Sequence, residues 1–106
     1  MKFINLTPHE VSVLKENQET LTLQSECVAR LKEQQHLIKI VDGIKLFRTE
    51  YLETENLPEP KQDTIYVVSM LVAQQNTNRK DLAYPARLIR DDKGVVIGCE
   101  GLNICN

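Results

Sequence analysis

Aromatic residues are scarce in this chain: tryptophan is absent, and Phe3, Phe47, Tyr51, Tyr66 and Tyr84 complete the set. Leu, Ile and Val must therefore build most of any core, and each tyrosine needs its own reason. Cysteine is sparse as well. Cys27, Cys99 and Cys105 are odd in number and make no CxxC or CxxH spacing, which argues against a disulfide framework and a tetrahedral zinc site and points to a reducing compartment. Cys27 and Cys99 are expected as small core residues, and Cys105, next to the end, as loose. The two histidines, His9 and His36, have no His, Cys or paired carboxylate at ligand spacing, so neither a metal nor another cofactor is expected.

Positive charge is not in excess. Thirteen basic and fifteen acidic side chains leave a formal charge of −2, so there is no overall field to attract a long nucleic acid. A small phosphorylated ligand remains open, because a local arginine cluster binds phosphate whatever the net charge. No apolar run approaches the roughly 20 residues that span a bilayer, and no basic segment precedes an apolar stretch in the manner of a signal peptide. A cytoplasmic protein with no membrane partner is the expectation. The length of 106 residues fits a single domain over 1–106 with one modest core.

What is present reads mainly as strand. Phe3, Ile4 and Leu6 before Pro8, and Val11, Val13 and Leu14 after it, suggest two short strands around a corner, since proline removes a ladder donor. Thr20-Leu21-Thr22-Leu23 resumes the period-2 pattern after Asn17-Gln18, so residues 10–24 read as a hairpin. Residues 27–31 read as strand or helix, and the sequence leaves the fold of 26–36 open. The β-branched run 36–41, the Asp42-Gly43 pair and the return 44–49 make a second hairpin. Pro58 and Pro60 exclude helix from 56–61. Ile65-Tyr66-Val67-Val68 is too apolar for a half-exposed strand, and Ser69 follows as the cap of a helix running to about Gln75. Residues 86–90 and 95–99 flank Asp91-Asp92-Lys93-Gly94 as a final hairpin. The expected fold is α+β, mainly antiparallel β, with seven or eight short strands and one short helix.

Chemistry concentrates in 64–90. Backbone N–H groups at a helix start carry partial positive charge, so a phosphate can sit beside Ser69, although capping alone accounts for that residue. No Gly-rich loop and no GKS or GKT is present, which excludes a P-loop. Arg79, Arg87 and Arg90 are three of the chain's five arginines and fall within twelve positions, flanked by Lys80 and Lys93. The guanidinium fork suits phosphate, while Asp81, Asp91 and Asp92 offer the plainer reading of a neutralised, solvated face, with Asp81 pairing Arg79 locally. Tyr84 is the aromatic best placed to stack on a base beside these arginines. Tyr66 and Phe47 read first as core, with Arg48 on the strand face opposite Phe47. Glu53, Glu55 and Glu59 read as a solvated acidic rim, and no acid-base pair or triad is legible, so the chain is not expected to be an enzyme.

Four segments taken together, NLTPHEV at 5–11, LPEPKQDTIYVVSMLVAQ at 57–74, RKDLAYP at 79–85 and IRDDKGVVIGCEGL at 89–102, resemble a family of small phage and prophage proteins. They cover nearly half the chain. The pattern is also similar to phage anti-Thoeris proteins, sponges that hold cyclic ADP-ribose isomers, and in some members cyclic oligonucleotides, without cleaving them. That resemblance implies an anti-defence protein in the host cytoplasm, a homo-oligomer with pockets between protomers. It would use Arg79, Arg87 and Arg90 for phosphates and Tyr84 or Tyr66 with Asn76 or Asn78 for the base. Residues 15–55 carry no part of it. The competing expectation is an inhibitor or adaptor that binds a host defence protein through a strand edge or an apolar patch.

Overall fold

The computed structural model describes residues 1–105 as eight strands and one helix. The strands are β1 (Lys2–Asn5), β2 (Val11–Leu14), β3 (Thr20–Leu23), β4 (Arg30–Val41), β5 (Ile44–Glu55), β6 (Thr64–Val67), β7 (Leu82–Arg90) and β8 (Val96–Asn103), with the helix α1 (Met70–Gln74) between β6 and β7. Six strands form one sheet in the order β1-β6-β7-β8-β2-β3, while β4 and β5 form a separate two-stranded ribbon. Most paired residues lie in antiparallel ladders, as expected, but three of the six strand pairings, β1–β6, β6–β7 and β2–β8, are parallel.

Those parallel seams explain the apolar run in β6. A strand flanked by parallel neighbours is covered on both faces and reads as nearly continuous apolar sequence. Tyr66 and Val68 face one side, where they join Leu6, Ala29, Val72, Ala73 and Leu82. Val67 faces the other, where it meets Val11 and Cys99. Ser69 caps α1 by accepting from the Val72 N–H at 3.3 Å, and the helix ends after five residues.

The NLTPH segment is a structural corner. Asn5 is fully buried; its Nδ2 donates to the carbonyls of His9 at 2.8 Å and Leu23 at 2.9 Å. Its Oδ1 accepts the Thr7 N–H at 2.9 Å and lies 2.7 Å from the Thr7 hydroxyl. Ser25 closes the knot by donating to the Thr7 carbonyl at 2.6 Å. One amide side chain thus ties β1, the Pro8 turn and the end of β3, which is what allows β1 to leave β2 and pair with β6. A buried amide is tolerated because each of its hydrogen-bonding atoms has a partner.

The expected hairpin at 36–49 is present but much longer: both strands have twelve residues. Asp42 and Gly43 hold φ of 51° and 79°, the two positive values that a type I′ turn requires. Residues 27–29 are irregular, and the strand begins only at Arg30. Two core expectations are corrected. Cys27 is exposed, since it falls on the irregular stretch before β4. Phe47 is 55% exposed, since no described residue covers this part of the ribbon. Cys99 is buried as expected, and Cys105 packs partly against the first core cluster.

Candidate functional site

The sequence-predicted residues divide into those already engaged and those free to engage something else. Arg79 belongs to the first group. Its Nε donates to Asp81 Oδ1 at 2.8 Å and its Nη2 to Asp81 Oδ2 at 2.7 Å, with a further bond from Nη2 to the Pro58 carbonyl at 2.9 Å. Both side chains are about 15% exposed. This forked pair fastens the proline connector to the turn before β7. The hydrogen bond from Arg79 holds the Asp81 carboxyl below its ordinary range against the opposing effect of burial.

Tyr66 is 1% exposed, with its hydroxyl donating to the Glu59 carbonyl at 3.3 Å. It has no free face for a base. Asn76 Nδ2 donates to Thr54 Oγ1 at 2.9 Å and to the Val72 carbonyl at 2.8 Å, so it joins the end of α1 to the root of the ribbon. Ser69 is occupied as the cap, and a five-residue helix sums too few peptide dipoles to attract an anion strongly. These four side chains have structural work that explains them.

The remaining candidates lie on or near β7. Tyr84 is half-buried against the first core cluster, and Asn78 is exposed in the turn after α1. Arg87 is exposed, with its Nε 3.2 Å from Glu100 Oε2. Arg90 donates from Nη1 to the Gly94 carbonyl at 2.8 Å, across the β7–β8 turn. The three arginines do not converge within one chain. Arg79 precedes the nine-residue β7 and Arg90 ends it, a separation of about 25–30 Å at the usual strand rise.

Arg87 has one further property. Its φ is +56° in the middle of a strand, a left-handed conformation that costs a non-glycine residue about 1 kcal/mol or more. Its neighbours Pro85 and Leu88 line a cleft of about 200 Å³ between β7, β8 and β2, completed by Glu10, Val11, Ser12, Val96, Ile97, Gly98 and Cys99. At Gly98 an added Cβ would lie 3.1 Å from the Ser12 carbonyl oxygen, so a residue without a side chain allows β8 to approach β2. Burial pushes the Cys99 thiol up, and its Sγ points to the Ser12 carbonyl at 3.5 Å; a protonated, enclosed thiol is a poor nucleophile. The cleft is smaller than the 300 Å³ or so of a typical small-molecule site.

Sequence reasoning passed over this cleft, and it assigned the ribbon no role. The cleft residues come from three separated stretches with no shared motif. The ribbon did carry a signal: Ile38, Ile40, Val41, Ile44, Leu46 and Phe47 place apolar side chains at both odd and even positions of a hairpin, yet all are exposed. No helix among the described residues is long and apolar enough to cross a membrane. No protein-family profile, curated protein or solved structure matches the chain.

Proposed function

We propose that this protein is a phage anti-defence protein that binds and sequesters a cyclic nucleotide immune signal, a cyclic ADP-ribose isomer or a cyclic oligonucleotide, without cleaving it. The observation that carries the reading is Arg87. It keeps a left-handed backbone conformation inside a strand, its side chain is 80% exposed, and its one ion-pair partner among the described residues, the solvent-facing Glu100, sits at 3.2 Å. Such a surface pair contributes little to stability, so the guanidinium is available to a phosphate at small cost, and strain of this kind is commonly retained where it serves a site. Arg90, which donates to a turn carbonyl, supplies a second fork on the same strand, and Tyr84, half-buried against the first core cluster, an aromatic ring three residues before Arg87. Because the cleft beside Arg87 is too small to enclose a cyclic dinucleotide, the reading requires a second protomer to complete the site. It also agrees with the family resemblance.

The test is direct. The purified protein is incubated with cyclic ADP-ribose isomers and with cyclic oligonucleotides, freed of excess ligand and heated, and the released material is identified by mass spectrometry. Recovery of one intact ligand supports the reading, and failure to retain any of them overturns it. Recovery of a new product would make the protein an enzyme instead. Arg87→Gly separates a binding role from a folding one: it should leave the fold as stable or more so, by relieving the positive φ, and weaken ligand retention at least tenfold.

A further inference from the structure

The β4–β5 ribbon exposes what the rest of the chain covers. Opposed residues of an antiparallel pair share a face, so one side of the ribbon carries four successive rows from tip to root. These are Ile40 with Lys45, Leu37 with Phe47, Gln35 with Thr49, and Glu33 with Tyr51. Ile40, Leu37, Phe47 and Tyr51 are all exposed, and together they offer on the order of 400 Å² of apolar surface, the size at which a patch marks an interaction site. An unsupported two-stranded ribbon is marginally stable in water and ordinarily needs a further layer on its face.

Charge is sorted along the ribbon. Residues 36–48 carry Lys39, Lys45 and Arg48 against Asp42, net +2, while 30–35 and 49–55 carry Arg30 and Lys32 against Glu33, Glu50, Glu53 and Glu55, net −2. All of these side chains are exposed. Several of these charges stand on the other face, but on the four rows Lys45 lies at the tip and Glu33 at the root, so the face is complementary to itself reversed, and laid on itself in the same direction it sets like on like.

We propose that this face docks on the same face of a second copy of the chain, with the two ribbons antiparallel about a two-fold axis. In that arrangement the two-fold sets β4 over β4 and β5 over β5, and Lys45 reaches diagonally to Glu33 of the second copy, twice by symmetry. Ile40 then lies over Glu33 of the second copy and Lys45 over its Tyr51, while Leu37 and Phe47 lie over its Gln35 and Thr49, one row from their own counterparts across the axis. With the polar flanks included, each copy buries on the order of 700 Å², close to the 800 Å² or so per partner of a standard interface. The proposal is independent of nucleotide binding, because the docking face contains none of the residues assigned to the ligand.

Sedimentation velocity of the full chain over a concentration series, without ligand, tests it. The expected species is a dimer, twice the 12.2 kDa of one chain. Phe47→Ser should abolish it, and Lys45→Glu should weaken association about tenfold by placing two like-charged pairs in contact. The combined Lys45→Glu, Glu33→Lys chain should restore association to within threefold of the original, with circular dichroism showing each variant folded. A monomer at tens of micromolar overturns the proposal, whether or not the ribbon then captures an unrelated protein. A dimer indifferent to Phe47→Ser, or a charge reversal that does not restore it, also overturns it.

Discussion

The six-stranded body and the β4–β5 ribbon are built from similar residues and solve opposite problems. In the body, β6 is buried on both faces by its neighbours and by α1, and even the polar side chains inside it, Asn5 and Thr7, satisfy one another. In the ribbon, an equally β-branched sequence has both edges free and its apolar side chains in solvent. Strand propensity is therefore not what separates the two regions; what differs is whether the chain itself supplies a second layer. The body does so within one molecule. The ribbon leaves that layer to an association, which makes its order depend on concentration.

The contrast can be broken most severely at Asn5. Asn5→Ala removes a fully buried amide and takes the partner from the Leu23 carbonyl and the Thr7 N–H, while the His9 carbonyl keeps the Thr7 hydroxyl; each unpaired group costs about 1–3 kcal/mol. Urea denaturation should show a loss of at least about 3 kcal/mol, enough to unfold much of a marginal domain. A loss under 1 kcal/mol would mean that the corner is held by something else.

Asp81→Asn should cost less, about 2 kcal/mol, because a charged forked pair becomes a weaker neutral one. Its pH dependence gives the sharper reading. The Asp81 carboxyl is held below its ordinary value in the folded state, so the pair's contribution is present above the unfolded pKa of about 4 and is lost as pH falls through the folded one. The original chain should lose stability in that acid range. The Asp81→Asn chain should lose less there, and identical acid limbs would show that the pair carries no linkage.

In the ribbon the expected effects on one chain's stability are the smallest. Phe47→Ser at concentrations where the protein is monomeric should change the unfolding free energy by no more than about 0.5 kcal/mol, as for other exposed positions. A change of 2 kcal/mol would mean that Phe47 packs within its own chain.

Much of the fold was legible in sequence because its signals are local. The Ser69 cap, the Asp42-Gly43 turn, the apolar run at 65–68 and the proline connector each follow from a few adjacent residues. The parallel partners of β6 were not legible, because nothing short-range in Lys2–Asn5 says which strand it joins. The exposure of Phe47 was missed for the same reason: burial is a property of what lies opposite, and no described residue lies opposite it; Cys27 escaped the core because it falls on the irregular stretch before β4. Among the site residues, the Arg79–Asp81 pair was readable from a spacing of two. The engagement of Asn76 with Thr54 and the strained φ of Arg87 depend on tertiary placement that no motif records. The clustering of the three arginines in sequence also overstated their proximity, because an extended strand spreads neighbours at about 3.3 Å per residue.

Amide hydrogen exchange at two protein concentrations, one far above and one far below the dimer's dissociation constant, tests the division between body and ribbon most directly. Protection in β1, β6 and β7 should be the same at both concentrations, while protection in Arg30–Val41 and Ile44–Glu55 should rise by at least tenfold at the higher one. Ribbon amides equally protected at both concentrations would contradict the account.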